Sequence, residues 1–187
     1  MAKTKRLVKS IFRLFLPIVL LLLIAAAAAS VWLVHEASHP VGTGYLVTPE
    51  KYGMLSSRGA QVTEESWQGR DGGTQKGWLL RGSPNLPAVI LLHKYGANRS
   101  HVLNLGVKLN EATNFTVLMP DLRGQGNEPG DQKCSFGGCE ADDLASTVVY
   151  LKGLKTPEQF QLIGGGIGIY GVEIGALTAL STAAAIR

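Results

Sequence analysis

Between Ile167 and Ala176 the chain passes from a β-forming run to a helix-forming run with no loop between them. Ile167-Gly168-Ile169-Tyr170 suits a strand, and the residues from Ala176 onward are rich in Ala and Leu. Gly171-Val172-Glu173-Ile174-Gly175 joins the two. A strand that turns straight into a helix brings the two backbones close, and only small residues beside the turn allow that approach. The pattern predicts a strand, a tight turn centred on Glu173 and a helix, with the Glu173 side chain held out at the helix N-terminus.

The preceding chain supplies partners for such a unit. Gln61 to Trp67 and Gln75 to Arg81 read as two strands joined by the turn Arg70-Asp71-Gly72-Gly73, an antiparallel hairpin. Pro84 and Pro87 bound a loop. Ala88-Val89-Ile90-Leu91-Leu92 is an unbroken apolar run, as expected for a strand buried on both faces, and Thr116-Val117-Leu118-Met119 is another. Between them Asn98 or Ser100 can cap a helix to about Glu111, with Val102, Leu105 and Leu109 on one face. A further helix is expected from Ala141 to Lys152, with Asp142 and Asp143 in its first turn, where acids suit the dipole. After the hairpin the order is β-α-β-α-β-α. The expected fold class is therefore α/β, a hairpin leading into a parallel sheet with flanking helices.

The N-terminus is of another kind. Leu14 to Val34 carries no charge over 21 residues, about 31 Å of helix against a hydrocarbon core of about 30 Å. Lys3, Lys5, Arg6, Lys9 and Arg13 precede it with no acid among them. This predicts a basic cytoplasmic tail over 1–13, a single-pass signal-anchor over 14–34 and an extracytoplasmic remainder. The alternative is a signal peptide cleaved near Ala25–Ala29 and a secreted domain. Residues 35–57, with Pro40, Gly42, Gly44, Pro49 and Gly53, read as a linker, and the folded domain is expected over 58–187. The net charge of +4 sits in the tail, because 13 cations face 14 acids from His35 onward, a net of −1. No nucleic-acid surface is expected. His35 and His39 have no Cys, Asp or third His at a helpful spacing, so no metal is expected, and no cofactor is assigned.

Three motifs fall at the ends of the predicted parallel strands: His93-Lys94-Tyr95-Gly96-Ala97-Asn98-Arg99-Ser100, Asp121-Leu122-Arg123-Gly124-Gln125-Gly126, and Gly171-Val172-Glu173-Ile174-Gly175. In this order they resemble the α/β-hydrolase superfamily, and within it the serine aminopeptidase S33 and esterase/lipase-like branch, over about Tyr52 to Ala185. The resemblance implies hydrolysis of an ester or amide bond, with a small ester, amide or peptide as substrate. It makes Glu173 the residue of the nucleophile elbow, a place usually held by Ser. It gives the oxyanion hole to the backbone N–H groups of Tyr95 and Ile174. His93, Gly96, Asp121, Arg123, Gly124, Gly126, Gly171 and Gly175 then shape the motifs. Lys94 stands where Gly is usual, which would strain a position of positive φ.

Glu173 leaves three readings open. It is a lost nucleophile in a non-catalytic binding or scaffolding relative, a carboxylate nucleophile, or a carboxylate held at the helix N-terminus for binding or acid–base work. The superfamily's acid and His follow the elbow, beyond further strands, and none can be carried over, so either a fragment or a half-fold is expected. Gly166-x-Gly168-x-x-Gly171 also matches a dinucleotide fingerprint, with Phe160–Ile163 as its strand and Gly164–Gly166 as a flexible lead-in. Cys134 and Cys139 are a candidate disulfide in an oxidising compartment, with free thiols or a metal as alternatives. Asn98-Arg99-Ser100 and Asn114-Phe115-Thr116 are glycosylation sequons.

Overall fold

A computed structural model describes residues 2–53, 59, 61–127 and 132–185. The end of the expected linker, 54–57, and the first residue of the expected domain, Arg58, lie outside the described residues. The chain divides into a helical unit up to Ser38 and a second unit from His39 onward. The first is one helix, α1 (Ala2–Ser38). Its stretch Arg13–Ser38 is long and apolar enough to cross a membrane, and none of it is buried.

The second unit opens with a segment that the sequence reads as linker. Tyr45 and Val47 pack against buried core residues, and α2 (Pro49–Gly53) follows. The hairpin forms as expected, with β1 (Val62–Gln68) antiparallel to β2 (Thr74–Leu80). Next come β3 (Leu86–Leu92), α3 (Ser100–Thr113), β4 (Thr116–Pro120), α4 (Cys139–Gly153), β5 (Ile163–Gly171) and α5 (Ile174–Ala185). The sheet order is β1-β2-β4-β3-β5, with β3 parallel to both β4 and β5 and β2 antiparallel to β4.

The apolar runs land where their composition sends them. All five residues of β4 are buried, and Ala88, Ile90, Leu91 and Leu92 of β3 are too. Alternation divides them between two cores. Trp78, Leu80, Leu91, Val117 and Met119 meet Val102, Leu103 and Val107 of α3 on one face. Leu79, Ile90, Leu92 and Leu118 meet Leu144 and Leu151 of α4 and Ile174 of α5 on the other.

Two local expectations change. The buried face of α3 is Val102, Leu103, Gly106 and Val107, whereas Leu105 is exposed. Gly106 sets this rotation, because a β-carbon there falls 2.7 Å from Met119 Sδ and the helix lies close on the sheet. Gly164–Gly166 belong to β5 and are no flexible lead-in. A β-carbon at Gly164 falls 1.7 Å from Asn85 Oδ1, and one at Gly165 falls 2.9 Å from Pro87 Cγ. These glycines let β5 pass the crowded start of β3, where the register shifts between Leu86 and Ala88. The dinucleotide reading falls with them. Gly166 and Gly168 lie inside a strand, not in a turn whose N–H groups open a helix, so these glycines form no pyrophosphate cradle.

Candidate functional site

The ends of β3, β4 and β5 carry the three motifs to one edge of the sheet. At the end of β5 the chain turns through Val172 and Glu173 into α5 within two residues. Glu173 has φ +52°, the left-handed region a bulky L residue rarely enters. Its neighbours explain how the turn closes. A β-carbon on Gly171 falls 2.2 Å from the carbonyl carbon of Gly175. One on Gly175 falls 2.7 Å from Leu92 Cβ and 2.9 Å from the His93 carbonyl oxygen. Val172 N–H donates to the Leu92 carbonyl at 3.2 Å, which ties the turn to β3. The Glu173 side chain is exposed, and among the described residues no side chain bonds to its carboxylate. Ile174 is the first residue of α5, where backbone N–H groups lack partners within the helix.

The loop after β3 faces this turn. Gly96, not Lys94, takes the positive φ, at +66°, so the strain expected of Lys94 does not arise. Gly96 N–H donates to Gln125 Oε1 at 2.8 Å, and Gly126 N–H donates to the Ala97 carbonyl at 3.3 Å. The loops after β3 and β4 therefore brace each other. Tyr95 stacks on Phe136 with ring centroids 5.7 Å apart.

His93 is wholly buried, and both ring nitrogens are engaged. Nδ1–H donates to the Lys94 carbonyl at 2.8 Å, and Nε2 accepts from Leu122 N–H at 3.0 Å. Burial pushes its pKa down to about 4, so the ring is neutral and clips the end of β3 to the end of β4. It has no lone pair left for a base's work.

Asp121 accepts from Arg99 N–H at 2.8 Å and faces the Arg99 Nε at 3.5 Å. Burial raises its pKa, while Arg99 draws it back. Arg99 is itself buried. Its Nη2 donates to Tyr45 Oη at 2.6 Å and to Glu64 at 2.8 Å, and its guanidinium lies 4.9 Å from the Trp78 ring centroid. Arg123 grips Asp143 with Nε and Nη2, at 2.8 and 2.7 Å, and reaches Asp71 at 2.7 Å. Asp121 and Arg123 thus hold loops in place. A polar cleft of about 520 Å³ lies among Gln75, Arg99, Asp121 and Arg123, over β2 and β4. Arg99, Asp121, Arg123 and Asp143 there sit in ion pairs, although Arg99 Nη1 lacks a hydrogen-bond partner, and the elbow lies on the other side of β3, where Glu173 makes the better candidate site.

Cys134 is buried, Cys139 is exposed, and both are free thiols. The expected disulfide is not formed, and Glu140 supplies the reason. Its buried carboxylate accepts from Ser135 N–H at 2.7 Å, Gly137 N–H at 2.9 Å and the Ser135 hydroxyl, which also accepts from Cys139 N–H at 2.7 Å. This network shapes the loop and turns one cysteine inward and the other outward. Burial works against the Glu140 charge, but the bonds from Ser135 and Gly137 outweigh it and lower the pKa. Among the described residues no group of His, Cys, Asp and Glu could hold a metal.

The sequence predicts Asp142 and Asp143 in the first turn of the helix, but Glu140 is the acid that the fold buries most completely there. The Ser135-x-Gly137 spacing before it was the available signal. Asn98, a candidate helix cap, accepts at Oδ1 from Ser100 N–H at 3.0 Å, at the first residue of α3. It is wholly buried, its amide donating to the Thr43 and Gly44 carbonyls at 2.6 and 3.1 Å, which leaves no room for a glycan.

No family model and no curated protein matches the sequence. Solved structures do match. The Pyrococcus furiosus esterase Pf2001 superposes with a TM-score of 0.63 at 25% identity, over 79% of this chain and 54% of that one. The sheet is a partial α/β-hydrolase fold. GrgF, an α/β hydrolase from Penicillium sp. sh18, shares it at TM-score 0.53 and 22% identity, over 66% of this chain and 42% of that one. An α/β hydrolase from Novosphingobium aromaticivorans DSM 12444 does so at 0.51 and 21%, over 68% and 41%. The chain spans about half the length of these proteins.

Proposed function

We propose that this is a membrane-anchored α/β-hydrolase-like protein, related to hydrolases of ester or amide bonds, that binds through its elbow and does not act as a serine hydrolase. The observation that carries the reading is Glu173 itself, an exposed carboxylate at positive φ between β5 and α5. A serine nucleophile needs a hydroxyl at that place and a base within hydrogen-bond reach. The residue present is a carboxylate, and the nearby His93 is buried with both nitrogens occupied. A carboxylate at a helix N-terminus is favoured by the dipole and accepts hydrogen bonds from a ligand. The backbone N–H groups of Tyr95 and Ile174 are the donors proposed to face the same ligand. The likeness to the S33 and esterase/lipase-like branch supports an ester, amide or peptide ligand. The run Arg13–Ser38, preceded by cations, supports the anchor with the N-terminus in the cytoplasm.

A fluorophosphonate probe tests the reading. The native chain is expected to remain unlabelled under conditions that label an active serine esterase. Stoichiometric labelling of any Ser of this chain would show an activated nucleophile and overturn it.

A further inference from the structure

The chain enters the folded unit at the rim of the candidate site. Thr43 Oγ1 donates to the Gly96 carbonyl at 3.4 Å, Asn98 holds the Thr43 and Gly44 carbonyls, and Leu46 N–H donates to Ser100 Oγ at 2.9 Å. Every one of these partners lies in the loop after β3 or at the start of α3, beside the elbow. Only His39 to Gly42 separate Ser38, where the apolar helix ends, from Thr43, where docking begins. From Ser38 to Thr43 the backbone extends at most about 18 Å.

The same rim is apolar where it meets solvent. Val41 is 81% exposed, Leu46 66%, Phe136 50% and Leu177 46%. Leu46, Phe136 and Leu177 are each tied to the loop after β3, the start of α3 or the elbow helix. Leu46 is tied to Ser100, Phe136 stacks on Tyr95, and a β-carbon on Gly137 would fall 3.0 Å from Leu177 Cγ. Leu177 stands one turn after Glu173, whose carbonyl accepts from its N–H at 3.0 Å. Lys94 adds an exposed cation to the rim. Large apolar side chains beside a long cationic one suit the boundary between acyl chains and headgroups, where the lysine reaches the phosphates.

We infer that this rim docks on a lipid surface, which presents the elbow with an amphiphile rather than a water-borne ligand. The inference rests on the anchor reading, because only His39 to Gly42 lie in sequence between the apolar helix and Thr43.

The test uses the full chain in phosphatidylcholine vesicles. An environment-sensitive fluorophore is attached through Phe136→Cys, and separately through Leu46→Cys, in a Cys139→Ser background where Cys134 stays buried. Gly153→Cys, at the far end of α4 with open space around its β-carbon, is the reference. A lipid carrying a spin label near its headgroup serves as quencher. Quenching severalfold stronger at either rim position than at 153 is expected. Equal quenching at all three positions, in chain that floats with the vesicles, overturns the inference and leaves the anchor standing. Failure of the unlabelled chain to float with the vesicles overturns both. Two rim positions guard against a substitution that disturbs the loop.

Discussion

β4 and β5 lie on either side of β3 and run the same way, yet they are placed by different means. Every residue of β4 is buried, and its side chains fill both cores. In β5 only Ile163 is buried, and Tyr170 is half exposed. What fixes β5 is backbone proximity. Its glycines pass Asn85 and Pro87 at one end, and Gly171 and Gly175 close the turn onto Leu92 and His93 at the other. One strand is specified by what its side chains fill, the other by what its missing side chains permit.

The largest effect expected follows from that contrast. Gly171→Ala puts a β-carbon 2.2 Å from backbone that cannot yield. A loss on the order of 4 kcal/mol or more, or no cooperative folding, is expected in urea unfolding. Gly168→Ala in the same strand meets nothing nearer than 3.8 Å, and its effect should stay within about 0.5 kcal/mol. Similar losses for both would mean that β5 is held by its whole length and not by its turn.

The next effect concerns the clip between β3 and β4. His93 has a folded-state pKa of about 4 against an ordinary 6.5. Between those values the unfolded chain binds the proton and the folded chain does not. Stability is therefore full above about pH 6.5 and falls as the pH drops toward 4, by about 3 kcal/mol in all. The buried Asp121, whose pKa is raised, works in the opposite direction and moderates the slope. Urea melts between pH 4 and 8 measure this, and His93→Gln should flatten the profile. An unchanged slope in that variant would remove His93 from its place between the strands.

These contrasts follow what the sequence could and could not express. The apolar runs of β3 and β4 were legible because a strand buried on both faces needs little else. The elbow was legible from Gly171, Glu173 and Gly175, since backbone closeness leaves a spacing of small residues. Gly164–Gly166 were not, because glycine in a strand and glycine in a loop look alike until the neighbours Asn85 and Pro87 are known. The docking of Thr43 to Val47 was hidden for the same reason, as its partners Asn98 and Ser100 lie about 55 residues away. The cysteine pair was not legible because proximity in sequence says nothing of burial, and beside the Glu140 network Cys134 is buried while Cys139 is exposed.

That last point gives a small effect. Without reductant, iodoacetamide should modify Cys139 readily and Cys134 only on unfolding. Cys139→Ser should change stability by no more than about 0.5 kcal/mol, as an exposed substitution. Resistance of both thiols until a reductant is added would restore the disulfide.

Glu173 occupies a strained turn built for one exposed side chain. The unfolding free energy of Glu173→Gly tests this most directly. At φ +52° glycine relieves strain, so the variant should equal the native chain or exceed it by up to about 1 kcal/mol. A loss of about 1 kcal/mol, as glycine costs in an ordinary helix or strand, would place Glu173 in a relaxed backbone and contradict the elbow.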